Sequence, residues 1–164
     1  MPMSTVHLIC GPVGAGKTTF AKQLCQETGA LHFSIDQWMT SLFTPDLSGA
    51  IEYDWAMERI GRMESLIWSH VSQLMALGVD AVLDLGLLQR DHRQKFYDLA
   101  GAEGFNICLH LVDADREVRW GRVQGRNAAK GETYTMDVDR GMFDFCEDLF
   151  ERPTGDELAF MADK

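Results

Sequence analysis

A glycine-rich segment followed by a lysine and a threonine lies near the start of the sequence. It fits the pattern glycine, any four residues, then Gly-Lys-Ser/Thr, in which the glycines allow successive backbone N–H groups to point at phosphate oxygens. Lys17 would place its ammonium group on the β- and γ-phosphates, and the Thr18 hydroxyl would bind Mg²⁺. The pattern predicts a nucleotide-phosphate site formed by Gly11, Pro12, Val13, Gly14, Ala15, Gly16, Lys17, Thr18 and Thr19.

The same glycines allow a second interpretation, a dinucleotide-binding fold. Asp36 follows Gly14-Ala-Gly16 at the distance at which an acidic residue would hold a ribose. However, Thr19 occupies the third glycine position of that motif, and Lys17 would have no role beside a pyrophosphate bound by the backbone. Two other nucleotide-binding classes fit less well, because the chain has no Asn/Thr-Lys-x-Asp guanine reader and Leu47-Ser-Gly49 is too short and too early for a transporter-ATPase signature. An ATP-dependent phosphotransferase remains the favoured class.

Two aspartates follow predicted strands and could supply the chemistry. Asp36 could orient an acceptor hydroxyl and accept its proton, although an aspartate there could also cap a helix that begins at Gln37. Asp84 ends the apolar run Ala81-Val-Leu-Asp84, as the acidic residue of a Walker B strand does, and could hold Mg²⁺ directly or through water. The alternative role of Asp84 is that of a turn residue at the end of the strand.

Arginines form a local basic cluster in an otherwise acidic chain. Arg119, Arg122 and Arg126 are spaced three and four residues apart, so a helix would place them on one face, where they could point together at one polyanion. On a lid they would neutralise the transferred phosphoryl group; the alternative is a solvated face balanced by neighbouring acids. Arg90 and Arg93 could clamp an anionic substrate or be ordinary surface charges.

These residues need a scaffold of alternating strands and helices. Apolar runs predict strands at 5–10, 31–35, 79–85 and 105–112, with a weak closing strand at 157–162. Helical spacing occurs at 17–27, 52–78, 90–102, 115–127 and 137–151, with a polar loop at 128–136. The order predicts an α/β fold with a parallel sheet and helices on both faces.

Composition narrows the class of protein further. The chain has 164 residues, 46% of them apolar, and shows no repeat or linker, which predicts one domain over residues 1–164. A net charge of −10 disfavours broad affinity for nucleic acid or anionic membranes. The dispersed cysteines, the lack of an export signal and the lack of an 18-residue apolar run predict a cytoplasmic protein that spans no membrane. The five histidines show no ligand spacing and are interpreted as packing or surface residues.

With these residues, the sequence resembles the P-loop kinases grouped as AAA-like ATP-binding proteins, relatives of chloramphenicol phosphotransferase, zeta toxins, gluconate kinase and the kinase half of polynucleotide kinase. The resemblance covers nearly the whole chain. The segments that carry it are 11–18, 33–36, 82–93, 110–126 and 150–157. It implies a P-loop NTPase three-layer fold with about five parallel strands, Asp36 as the acceptor-side base, and Arg122 and Arg126 on a short lid at about 119–136. It also implies that 152–157 lines the adenine side.

The sequence departs from the family pattern at two positions, and the first departure, together with the net charge of −10, disfavours a DNA or RNA end as the acceptor. Several related kinases carry an arginine three residues after the base, where this chain has Met39, and Arg152 stands where relatives often have a second proline. The mixed aromatic and acidic stretch from Trp38 to Trp55 would suit a neutral or cationic small molecule bearing a hydroxyl. We therefore expect a monomeric, Mg·ATP-dependent small-molecule kinase. The alternatives are a polynucleotide 5′-hydroxyl kinase and an ATP-binding regulatory module without an acceptor.

Overall fold

The computed structural model describes residues 3–131 and 136–163 of the chain. Four strands, β1 to β4, span Thr5–Cys10, Leu31–Ser34, Ala81–Asp84 and Asn106–Leu111. Six α-helices, α1 to α6, span Lys17–Thr28, Ile35–Leu42, Tyr53–Ala76, Arg90–Glu103, Arg116–Ala129 and Arg140–Leu149. Short 3₁₀ helices occupy Thr44–Asp46 and Gly155–Phe160. None of the helices in the described ranges combines the length and apolar character needed to cross a membrane.

The strands form a parallel sheet in the order β2-β3-β1-β4. Strand β1 is central and pairs with β3 on one side and β4 on the other, with Leu8 opposite both Leu83 and Leu109. Because parallel strands are covered on both faces, continuous apolar runs are expected in them, and the four residues of β3 are all buried. The carboxyl ends of β1, β2 and β3 open at one edge of the sheet, where α1, α2 and the segment after Asp84 begin.

Helices cover the two faces of the sheet separately and give the three-layer arrangement that the sequence predicts. Helix α1 packs on one face, where Ala21, Phe20 and Leu24 meet Ile9 and Val82. On the other face, α3 and α4 bury a larger cluster that includes Met63, Ile67, Val71, Phe96 and Ala100. The period of three to four residues in these helices places their apolar side chains on the buried stripe.

The expected closing strand is reduced to a single bridge. Residues Gly155–Phe160 form a 3₁₀ helix, and only Met161 pairs with Leu109 of β4 in the parallel sense. The described sheet therefore has four strands rather than about five. The reason is local: Glu157, predicted to lie in a strand, turns its carboxylate into the interior to meet Arg93.

The boundary between β2 and α2 also differs from the prediction and affects the site. The strand ends at Ser34 rather than Ile35, and the Ser34 hydroxyl accepts a hydrogen bond from the backbone N–H of Gln37 at 3.3 Å. Ser34 is therefore the N-cap of α2, and the alternative role of Asp36 as a helix cap is wrong. Asp36 instead lies in the first turn of α2, at the carboxyl edge of the sheet.

Candidate active site

The glycine loop joins β1 to α1 in a conformation that requires glycine at several positions. A Cβ at Gly11 would lie 2.0 Å from the carbonyl oxygen of Val112. Gly14 has φ +78°, and a Cβ there would lie 2.6 Å from the carbonyl oxygen of Arg119. Gly16 caps α1 without a side-chain hydrogen bond, so the first N–H groups of the helix remain available to an anion.

The Lys17 ammonium group lies against the loop that precedes it. Its Nζ donates hydrogen bonds to the carbonyl oxygens of Gly11 at 2.7 Å and Pro12 at 3.1 Å. Burial lowers the pKa of Lys17; the charges of Asp84 and Asp36 act against this effect, and that of Arg126 adds to it. Lys17 thus shares a crevice with two carboxylates, those of Asp36 and Asp84, and with the guanidinium of Arg126.

Thr18 and Asp84, the two residues expected to hold the metal, are in direct contact. The Thr18 hydroxyl donates a hydrogen bond of 2.9 Å to Oδ2 of Asp84, which is buried at the end of β3. His32 of β2 also approaches that oxygen, with its Nε2 at 3.2 Å. A hydroxyl and a carboxylate are the hard oxygen ligands that Mg²⁺ prefers, so this pair fits the ion that the sequence implies.

Asp36 lies within electrostatic reach of the same crevice. The residue remains open to solvent, but protein surrounds much of its carboxyl group, and this burial raises its pKa. The charge of Asp84 raises the pKa further, whereas Lys17 and Arg126 act in the opposite direction. A carboxylate with a raised pKa is a better proton acceptor than an ordinary aspartate, which suits the role predicted for Asp36.

Two of the arginines of α5 lie at this site. Nη1 of Arg122 donates to the carbonyl oxygens of Gly14 and Ala15 at 3.4 and 3.2 Å, so its guanidinium lies over the glycine loop. Arg126 is close enough for its charge to act on both Lys17 and Asp36. The rest of the expected lid at 119–136 includes residues 132–135, which lie outside the described residues.

Arg119 does not join the other two arginines of its predicted face. It is buried, forms a bidentate ion pair with Glu147 of α6 at 2.8 and 2.8 Å, and donates to the carbonyl oxygens of Ala114 and Val13. The prediction that it points at a bound polyanion is corrected, because its N–H groups are directed at these partners. Arg119 stabilises the glycine loop through its hydrogen bond to the carbonyl oxygen of Val13.

The expected substrate clamp also differs from the prediction. Arg93 is fully buried; it donates to both carboxylate oxygens of Glu157 and to the backbone carbonyls of Leu87, Leu88 and Glu151. Its role is to hold the C-terminal segment against α4, and a clamp on substrate is excluded by these bonds. Arg90 is partly exposed and lies 3.4 Å from Asp156, on the side of the same segment.

The other expected substrate residue, Trp38, lines a cavity along α2, the helix that also carries Asp36. Trp38 is one turn along α2 from the Ser34 cap and packs edge-on against Phe33. With Gln37, Ser41 and Leu42 it borders a cavity of about 370 Å³. An apolar wall with one amide and one hydroxyl is suited to a small organic molecule.

Sequence reasoning missed three contributors to this site: His32, Ser34 and Glu147. The period of two along β2 would have placed His32 on the same face as Ser34, but nothing in the sequence indicated that Asp84 would be its neighbour. The pairing of Glu147 with Arg119 was not indicated by residue spacing, because 28 positions separate the two residues. Only the amphipathic pattern of α6 could have suggested that Glu147 faces the protein.

Comparisons with known proteins identify a family and a shared fold. A family model described as an AAA domain, AAA_33, matches residues 6–153. No curated protein matches the chain by sequence. The matched range includes the glycine loop, both candidate aspartates and all of α5.

Solved structures resemble the chain in fold. They include Kti12 from Chaetomium thermophilum in complex with ADP-AlF3 (18% identity, TM-score 0.67, 91% of this chain and 81% of that chain). A gluconokinase from Sinorhizobium meliloti 1021 has 12% identity and a TM-score of 0.64, over 98% and 82% of the two chains. A sugar kinase from Janibacter sp. HTCC2649 has 17% identity and a TM-score of 0.60, over 93% and 81%.

Proposed function

The chain belongs to the AAA domain family AAA_33, and from that premise we propose that it is an ATP-dependent kinase that phosphorylates a hydroxyl group of a small molecule. Structural neighbours that include kinases support a nucleotide-dependent, kinase-type class. The observation that carries the more specific proposal is the convergence of a cation and two carboxylates at one edge of the sheet: the charges of both Asp36 and Asp84 act on Lys17.

The two carboxylates have different surroundings, and this supports a division of roles. Asp84 is buried and holds the Thr18 hydroxyl, so its carboxylate is directed at the position where a metal would lie. Asp36 is open to solvent, so an acceptor could reach it. We assign Asp84 to the metal and Asp36 to the acceptor hydroxyl.

The proposed reaction is an in-line phosphoryl transfer. The acceptor oxygen forms a bond to the γ-phosphorus of ATP, the bond from that phosphorus to the oxygen bridging to the β-phosphate breaks, and ADP leaves. Asp36 orients the hydroxyl and takes its proton, while Lys17, Arg122 and Arg126 offset the negative charge of the γ-phosphoryl oxygens. Because the transition state is loose, positioning and charge stabilisation contribute more than the basicity of Asp36.

Thr18 and Asp84 would hold the magnesium ion. When bound, Mg²⁺ supplies positive charge to the β- and γ-phosphate oxygens. The hydrogen bond from the Thr18 hydroxyl to Asp84 keeps both oxygens at the same place.

The proposed acceptor class follows from the charge of the chain and from the lining of the cavity at Trp38. Acidic residues outnumber basic ones by 25 to 15, and position 39 holds Met39 rather than a cation that could bind a phosphate. The cavity at Trp38, on the helix that also carries Asp36, has an indole, a leucine side chain, an amide and a hydroxyl. These features favour a neutral or cationic small molecule over the 5′-hydroxyl end of a polynucleotide as the acceptor.

A direct test combines calorimetry with an acceptor screen. ATP binding is measured with and without Mg²⁺, and ADP release is then measured for the wild-type chain with a panel of hydroxylated metabolites, nucleosides and 5′-hydroxyl oligonucleotides. The expected result is Mg²⁺-dependent ATP binding and stimulation of ADP release by a small molecule. Stimulation by oligonucleotides alone would replace the proposed acceptor by a polynucleotide end.

The variant Asp36→Asn separates a kinase from a binding module. A kinase loses turnover by about 10²–10⁴-fold, as expected when a general base is removed, and keeps its ATP affinity. A regulatory module that only binds ATP would be unaffected by the change. Asp98→Asn, at an exposed aspartate of α4 that has no part in the proposed site, is the matched control and should leave turnover unchanged.

A further inference from the structure

A second group of chemically active side chains lies where β1 and β4 pair. His7 comes from β1, and Cys108 and His110 come from β4. His7 and Cys108 are directly opposite each other in the parallel register, and His110 is two residues further along, on the same face. One ligand atom from each of the three residues lies within 4.8 Å of the others.

The distances within this group are close to those that a tetrahedral metal needs. Nδ1 of His7 lies 3.0 Å from Nε2 of His110. A zinc ion with Zn–N bonds of about 2.0 Å and a Zn–S bond of about 2.3 Å holds its ligand atoms about 3.3–3.6 Å apart. Small side-chain rotations would therefore bring the two nitrogens and the Cys108 sulfur to their ligand positions.

Asp80 orients the first of these ligands. Its Oδ2 lies 3.3 Å from Nε2 of His7, and its Oδ1 accepts a 2.8 Å hydrogen bond from the backbone N–H of Thr5. A carboxylate that accepts from Nε2–H leaves Nδ1 of the same ring with a free lone pair. In many metal sites a carboxylate that does not itself bind the metal fixes the tautomer of a metal-bound histidine in this way.

The surroundings hold the cluster in place. Cys108 and His110 are both partly buried. The ring of Phe20 from α1 covers His110, with the ring centres 5.4 Å apart. Burial and the charge of Asp163 raise the pKa of Cys108.

We propose that His7, Cys108 and His110 bind one zinc ion, which links the central strand β1 to the edge strand β4 beneath α1. Binding releases the thiol proton of Cys108 to solvent and forms one Zn–S and two Zn–N bonds. The fourth position is open to water. This site contains a thiolate and two imidazoles, so it prefers Zn²⁺ to the Mg²⁺ expected at Thr18 and Asp84.

The competing arrangement needs no metal. In it, Asp80 accepts from Nε2–H of His7, and Nδ1 of His7 accepts from Nε2–H of His110, which gives a hydrogen-bonded chain through the two rings. Cys108 has no part in this chain. Removal of the thiol therefore separates the two arrangements.

The test uses Co²⁺ as an optical substitute for zinc. The tag-free, chelator-treated full chain is titrated with Co²⁺ and then Zn²⁺ without nucleotide. We expect one Co²⁺ per chain, a thiolate-to-cobalt charge-transfer absorption, displacement of Co²⁺ by Zn²⁺, and a rise in Tm when zinc is added. Absence of the charge-transfer absorption in the wild-type chain would overturn the proposal.

Variants assign the signal to these residues. Cys108→Ser should abolish the charge-transfer absorption, whereas Cys25→Ser, at a half-buried cysteine packed on the same face of the sheet, should retain it. Asp80→Asn should weaken zinc affinity by about 10–100-fold, because the amide N–H₂ of asparagine would face Nε2 and shift the ring proton to Nδ1. An absorption that persists in Cys108→Ser would overturn the assignment, and circular dichroism confirms that each variant is folded.

Discussion

The hydroxyl of Thr18 donates a hydrogen bond to Oδ2 of Asp84 across 66 positions of the sequence, at a distance of 2.9 Å. The bond joins the first turn of α1 to the carboxyl end of β3, so two residues predicted separately as metal ligands share one point in space. His32 approaches the same carboxylate from β2. Three neighbouring elements therefore define the proposed magnesium position.

Replacement of Asp84 by asparagine should uncouple nucleotide binding from the metal. We expect kcat for the ATP-dependent reaction to fall by about 10²–10³-fold, the range found when one group that stabilises transition-state charge is removed. ATP affinity measured without Mg²⁺ should change little, because the loop amides and Lys17 remain. Calorimetry with and without Mg²⁺ checks this, and an unchanged Mg²⁺ dependence in the variant would contradict it.

The pH dependence of turnover should report the raised pKa of Asp36. Since burial and Asp84 raise this pKa, the carboxylate becomes protonated at a higher pH than the 3.8 of an ordinary aspartate. As pH falls through the raised pKa, the base is lost and kcat/KM decreases. The residual activity of Asp36→Asn should lack this acid limb, and an identical limb in the variant would show that another group is responsible.

Arg122 and Arg119 should give opposite results although they are neighbours on α5. Arg122→Ala removes a guanidinium above the glycine loop, so we expect kcat to fall by about 10²–10³-fold with little change in Tm. Arg119→Ala leaves Glu147 without its bidentate partner and the Val13 carbonyl without its donor, so Tm should fall. Thermal unfolding and single-turnover kinetics on both variants provide the comparison; equal losses of Tm would contradict it.

The buried ion pair of Arg93 and Glu157 should dominate the stability of the C-terminal segment. Arg93→Ala leaves a buried carboxylate without its partner, and this should cost about 3–5 kcal/mol in the free energy of unfolding. The exposed pair of Arg116 and Asp144 is the matched control, and Arg116→Ala should change stability little. Urea unfolding of the two variants measures the difference, and similar midpoints would contradict the expected result.

Glycine-to-alanine changes should distinguish the loop from the helices. Gly14→Ala should weaken ATP binding and lower Tm, because φ is +78° and the added Cβ would lie 2.6 Å from a backbone carbonyl oxygen. Gly61→Ala lies inside α3 with open space around it, so it should stabilise the chain by about 0.5–1 kcal/mol. ATP calorimetry and thermal unfolding test both, and normal ATP affinity in Gly14→Ala would argue against the proposed loop function.

The fold and the centre of the site were predictable because they depend on local patterns. The glycine loop has a specific spacing, and continuous apolar runs identify β1 and β3 as buried parallel strands. Since parallel strands end at one edge of a sheet, a carboxylate after each strand was expected near Lys17, and the charges of Asp36 and Asp84 do act on it.

The partners of individual charged side chains were not predictable. Arg93 and Arg119 have the spacing of surface or ligand-binding arginines, but acids 64 and 28 residues away determine their burial. Likewise, His7 and His110 are 103 positions apart, and only the pairing of β1 with β4 brings them together. Such contacts depend on tertiary packing, about which residue spacing carries no information.

The attachment of α5 to the glycine loop restricts how the arginine helix can close over a nucleotide. Its N-terminal half is fastened to Val13 and Glu147 through Arg119, and Val123 is packed beside Phe143 of α6. A swing of the entire helix would break these contacts with the glycine loop. The stretch after Val123 is held as well, because the side-chain amide of Asn127 exchanges two hydrogen bonds with the backbone of Val138. Arg126 would therefore reach a bound nucleotide by rotation of its own side chain rather than by movement of the helix.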